Sequence, residues 1–117
     1  MLEQDILDLL RPLVDGRAYF DQAPTRVAAP YVVLSQVGGE AFQYVDPSRP
    51  SHKHARLQVN VWARDRPSAN TLARLIEDAM ASSELNCEVN GAMQSLFEPD
   101  VSTGYGTRQD FSFWYLD

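Results

Sequence analysis

Residues Ala55–Met80 read ARLQVNVWARDRPSANTLARLIEDAM, and the fold is decided here. Ala55, Leu57, Val59, Val61 and Ala63 alternate with Arg56, Gln58, Asn60 and Trp62. One face is apolar and the other mostly polar, which is the period of a half-buried strand. After Asp65-Arg66, Pro67 fits the first position of a helix, where its missing N–H is no loss. Leu72, Leu75, Ile76, Ala79 and Met80 then recur at the spacing of one helical face.

Upstream, Leu2, Ile6, Leu9, Leu10 and Leu13 predict a first amphipathic helix, with Glu3, Asp5 and Asp8 favouring its N-terminal dipole. Pro12 predicts a kink or stop near Arg11, closed by Asp15-Gly16. Arg17–Phe20 is a short strand, and Asp21–Pro30, with two prolines, is a loop. Tyr31–Val37 (YVVLSQV) is apolar on both faces, so it is expected inside the sheet. Gly38–Lys53 is a long connection of the kind that is often functional.

Downstream, Ser82-Ser83 and Asn86 end the helix. Cys87–Leu96 is a weaker strand signal, and Asn90-Gly91 within it suggests a tight hairpin turn. Pro99–Gly106 reads as loop. Thr107–Leu116 closes the chain as a strand in which Phe111, Phe113 and Tyr115 alternate with polar residues and Trp114. The order α-β-β-β-α-β-β predicts an α+β domain, a mostly antiparallel sheet with two helices on one face.

The chain has 117 residues, which fits one domain spanning 1–117. Sixteen acidic residues against ten basic ones give a net charge of −6. That balance is unsuited to gripping phosphate backbones, where Lys and Arg release counterions. Cys87 stands alone, so no internal disulfide is possible and a reducing compartment is expected. The acidic N-terminus lacks the cationic region of a signal peptide, and no apolar run reaches the ~20 residues of a membrane span.

Catalytic chemistry finds little footing. His52 and His54 form an H-x-H pair without a third ligand of diagnostic spacing, so surface histidines are the expectation. Ser35, Ser51 and Ser68 lack a nucleophile-elbow setting. Gly104-Tyr105-Gly106 lacks the strand-then-helix context of a phosphate loop. The carboxylates are scattered, and no acid–base pair is assignable. No catalytic, metal or cofactor residues are expected.

The two tryptophans are the suspects. Trp62 and Trp114 both fall on the polar faces of their strands. If those strands share the sheet, the face away from the helices shows two indoles among Arg56, Gln58, Asn60, Asp110 and Ser112. Aromatics on a polar face mark a partner surface. The competing expectation is that the 38–53 loop covers them. That loop also carries Phe42, Tyr44 and Arg49. The candidate interface is therefore Phe42, Tyr44, Arg49, Arg56, Trp62 and Trp114.

This succession resembles a known family. The leucine-bearing first helix, the strand around GRAYF and Pro30-Tyr31-Val32-Val33 come first. A Gly-rich loop, then Arg56–Ala63 and the helix Ala69…Leu72-Ala73…Ile76…Ala79-Met80 follow. The pattern is similar to the tail-completion proteins of long-tailed bacteriophages, also called tail terminators or head-to-tail joining proteins. The resemblance implies a non-enzymatic virion protein, made in the host cytoplasm. It would form a ring, usually of six copies, on the head-proximal end of the tail tube. Its implied partners are itself, the tail-tube protein and the head connector; DNA would pass an acidic lumen without specific binding. The rival expectation is a ferredoxin-like or dimeric-barrel ligand-binding or enzymatic domain with a pocket near Trp62 and Trp114.

Overall fold

The structure, a computed structural model, describes residues 2–39, 53–98 and 104–115. α1 spans Leu2–Leu10 and passes at Pro12 into a single 3-10 turn, Arg11–Leu13. Pro12 cannot continue the α-helical hydrogen-bond ladder, and the turn closes with Asp15 and Gly16 at positive φ (54° and 86°). β1 (Ala18–Phe20), β2 (Tyr31–Gly38) and β3 (Lys53–Ala63) follow, then α2 (Arg66–Ser82), β4 (Cys87–Phe97) and β5 (Tyr105–Tyr115). The order is α-β-β-β-α-β-β, as the sequence predicts.

α2 starts one residue before Pro67. Asp65 is its N-cap, and the Asp65 carboxylate accepts from the Ser68 N–H at 2.8 Å. That bond holds the Asp65 carboxyl below the usual carboxylate range. The buried stripe of α2 is Ala69, Leu72, Ala73, Ile76 and Met80. Leu75, expected in the stripe, is 48% exposed.

The five strands form one sheet in the order β1-β2-β3-β5-β4. β1 and β2 pair in parallel and every other pair is antiparallel, so the sheet is mixed but mostly antiparallel. β3 is central and pairs with β5 in unbroken register from Lys53↔Tyr115 to Ala63↔Tyr105. Gly106, expected in a loop, is therefore a strand residue.

β4 departs from the expected hairpin. Asn90-Gly91 does not turn the chain back; β4 continues as one strand with a bulge between Asn90 and Gln94. Gly91 takes a positive φ of 87°. Gln109 fills the space under the bulge, its amide donating to the Gly91 carbonyl at 2.9 Å and to Glu77 at 3.0 Å. The Gly91 carbonyl in the bulge thus finds a side-chain partner in place of a ladder bond.

Both helices cover one face. Val32 and Leu34 of β2, Leu57, Val59 and Val61 of β3, and Phe111 and Phe113 of β5 form one cluster with Ile6, Leu10, Leu72, Ile76 and Met80. Phe111 and Phe113 are fully buried; each such side chain contributes about 1.5–3 kcal/mol by leaving water. β2 lies inside the sheet, as expected, but only Val32 and Leu34 are buried within it. Its other face, with Tyr31, Val33 and Ser35, is half-buried.

Candidate assembly interface

Register defines the face away from the helices. Directly opposed residues share a face, so its cross-strand rows follow from the ladders. At one end, Tyr31, Trp62, Gly106 and Leu96 form a row. Val33, Asn60, Arg108 and Gln94 form the next, then Ser35, Gln58, Asp110 and Asn90. Arg56, Ser112 and Glu88 follow, and His54 with Trp114 closes the far end.

Trp62 and Trp114 thus share the face, as expected, but stand at its two ends. Trp62 pairs with Gly106, and Trp114 pairs with His54. Eight residues of strand, about 26 Å, lie between the two levels. The rival expectation of one pocket lined by both indoles is not what this geometry provides.

Each indole has its own seat. Trp62 lies across Gly106: a Cβ at Gly106 would come within 2.7 Å of the Trp62 ring and 2.7 Å of the Val61 carbonyl. The bare backbone of β5 is the floor on which the ring rests. The loop after β1 supplies a wall. Asp21, Pro24, Arg26 and Val27 join Tyr31, Val33, Asn60 and Trp62 around a cleft of about 390 Å³. Trp62 is thereby half-buried, flanked by the 21–30 loop.

Trp114 stacks on His54, with ring centroids 4.8 Å apart and planes inclined by 19°. It too is half-buried. Gly39 sets the backbone beside this pair. Its φ is +145°, and a Cβ there would collide with the His54 carbonyl oxygen.

Between the indoles the face is polar. Asn90 donates to the Ser112 hydroxyl at 2.6 Å, and Asn60 leans on Gln58 at 3.4 Å. Asn60 Oδ1 and Asp110 Oδ1 are buried with no hydrogen-bond partner among the described residues. Arg56 and Arg108 are exposed here. Phe42, Tyr44 and Arg49 lie outside the described residues.

Arg66 is a structural residue that sequence reading missed. Its guanidinium donates to the Gly106 carbonyl at 2.7 Å and to the Leu96 carbonyl at 2.6 Å. It also lies over the Tyr105 ring, 5.6 Å from its centroid. One cation therefore ties the start of α2 to β5 and β4, at the end of the sheet where Trp62 sits. Only the adjacent Asp65-Arg66-Pro67 hinted at a helix start; nothing in the chain marked the carbonyls it reaches.

Among the described residues, no group of three His, Cys, Asp or Glu side chains could hold a metal ion. No described helix is long and apolar enough to cross a membrane. Cys87 is half-buried, and burial, with Glu88 nearby, pushes its thiol up to about 11.

Comparison with known proteins adds the biological setting. The solved structure of the gp17 protein of bacteriophage SPP1 superposes with a TM-score of 0.55 at 14% identity. The match covers 99% of this chain and 89% of that one, a likeness of fold. A search of curated proteins finds no match. The family described as tail completion protein gp17 matches residues 5–116. That span takes in every element of the sheet and most of α1, and the chain belongs to this family of bacteriophage tail-completion proteins.

Proposed function

We propose that this protein completes the phage tail by closing, as a ring of copies, on the head-proximal end of the tail tube. The ring ends tube growth and offers the head connector a surface; the protein works by assembly, without catalysis. The family match carries this reading. The sheet face supports it physically. A ring needs two unlike patches on each subunit, because head-to-tail contacts close only when one patch meets the other. The Trp62 seat, between Gly106 and the 21–30 loop, and the Trp114–His54 stack are two such patches on one rigid sheet.

Arg56 and the 40–52 connection with Phe42, Tyr44 and Arg49 belong to the same contact region in this reading. The partners are further copies, the tail-tube protein and the head connector, and the working location is the virion. The test is tail assembly in the absence of the protein. Tails of uncontrolled length, restored by added protein, are expected; tails of normal length would refute the reading. Trp62→Ala and Trp114→Ala are expected to impair capping more than folding. Unfolding of both variants would assign the indoles to stability instead.

A further inference from the structure

The two edges of the sheet are not alike. β1 is only three residues long and pairs in parallel with β2, so that edge offers little ladder. β4 forms the other edge, and none of its eleven residues is buried. Its ladder to β5 determines which backbone groups point outward. Glu98 donates its N–H to the Gly104 carbonyl at 2.8 Å, and Trp114 donates to the Asn86 carbonyl at 3.0 Å. Antiparallel pairs alternate between bonded and non-bonded. With Cys87↔Phe113, Val89↔Phe111, Ser95↔Thr107 and Phe97↔Tyr105 in register, the N–H and C=O groups of these four β4 residues face away from β5.

An edge of this kind is a template for another strand, and Lys and Pro are among the residues that guard such edges. β4 contains neither. At its end Phe97 is 59% exposed, beyond the ring contact it makes with Tyr105.

We propose that the β4 edge pairs, antiparallel, with the β4 edge of a second copy, about a two-fold axis at the bulge. A second copy is favoured because the outward set is self-complementary. About that axis Phe97 of one copy opposes Cys87 of the other, and Ser95 opposes Val89, so outward groups meet only outward groups. The three-residue β1 edge offers little ladder for the sheet to continue head-to-tail. The bulge does not obstruct, because Ala92 and Met93 line a small cleft with Ala73, Arg74 and Glu77 of α2. Met93 is half-buried there, drawn to the helix side of the edge. Phe97, Cys87 and Val89 lie on that same side, so the exposed ring is covered by the neighbour's half-buried apolar residues. Glu88 opposes Leu96, so no like charges meet directly. This isologous contact belongs to the protein before assembly and differs in kind from the head-to-tail contacts of a ring.

The test uses the purified full chain without tail-tube protein. Light scattering over a concentration series is expected to rise to twice the 13.2 kDa chain mass. Ser95→Pro removes an outward N–H and leaves the β5 ladder intact, and weakens the dimer by about tenfold or more. Phe97→Cys places a thiol opposite the native Cys87 of the second copy, at a Cα separation of about 5.5 Å, within disulfide range. Within one chain the two positions lie opposite Phe113 and Tyr105, eight residues of β5 and about 26 Å apart. Mild oxidation at pH 9 is expected to give a covalent dimer, abolished by adding Cys87→Ser. Monomer mass at every concentration overturns the proposal. So does a dimer that forms no bond from Cys87 to the introduced thiol. If Ser95→Pro fails to fold, the cross-link alone decides. Failure here leaves the capping reading standing, since that is measured on tails.

Discussion

At Gly106 a hydrogen in place of a methyl group decides where an indole sits. Gly106→Ala would force the added carbon against both the Trp62 ring and the Val61 carbonyl, each at 2.7 Å. The expected cost is about 1–3 kcal/mol of stability, the scale of overpacking, with altered Trp fluorescence, read by urea unfolding. Arg66→Ala leaves the Leu96 and Gly106 carbonyls without their cation and is expected to lose about 1.5–3 kcal/mol in the same assay. Cys87 offers a pH test. Its thiol is raised to about 11 from an ordinary 9.0, so the fold favours the neutral form. The stability from that preference is fully present below pH 9 and is lost as pH rises from 9 through 11. Alkylation of the folded protein at pH 8 should be slow and should accelerate toward pH 11, whereas the denatured chain reacts readily at pH 9.

Among the elements, β4 departs most from what its residues announce. Asn90-Gly91 is a strong local turn signal, yet the segment Gln94–Phe97 still pairs with Tyr105–Arg108, and that pairing overrides the turn and leaves a bulge. Alternation along this strand has a measurable consequence. Leu96 donates and accepts toward β5, so Leu96→Pro should cost about 1–3 kcal/mol in urea unfolding, whereas Ser95→Pro should cost little. Strands β3 and β5 and helix α2 were legible because periodic apolar residues mark a buried face directly. Leu75 fits the stripe by number, but Ala69 and Ala73 are the buried residues and Leu75 stays exposed. The placement of both tryptophans on one face followed from strand parity. Their separation did not, because it depends on the β3–β5 register. The wall beside Trp62 was unreadable too: a loop's path over a sheet leaves no periodic trace, and it is the 21–30 loop that lines the cleft with Trp62.

The whole molecule carries its acidity unevenly. Glu3, Asp5 and Asp8 on α1 are exposed, while the opposite face sets Arg56 and Arg108 against Asp110 and Glu88. With a net charge of −6, retention on duplex DNA is expected to be undetectable at moderate salt in a gel-shift assay. A basic patch strong enough to hold DNA would show itself there as a salt-sensitive band.

The register also gives the subunit two poles. Gly39 and Lys53 flank the β2–β3 connection at the level of Trp114, whereas Glu98 and Gly104 flank the β4–β5 connection at the level of Trp62. Short epitopes inserted in 40–52 and in 99–103 would therefore label opposite extremities of the same part. Antibody decoration of assembled tails with each would read out which way round the subunit is mounted, without any change to the sheet between them.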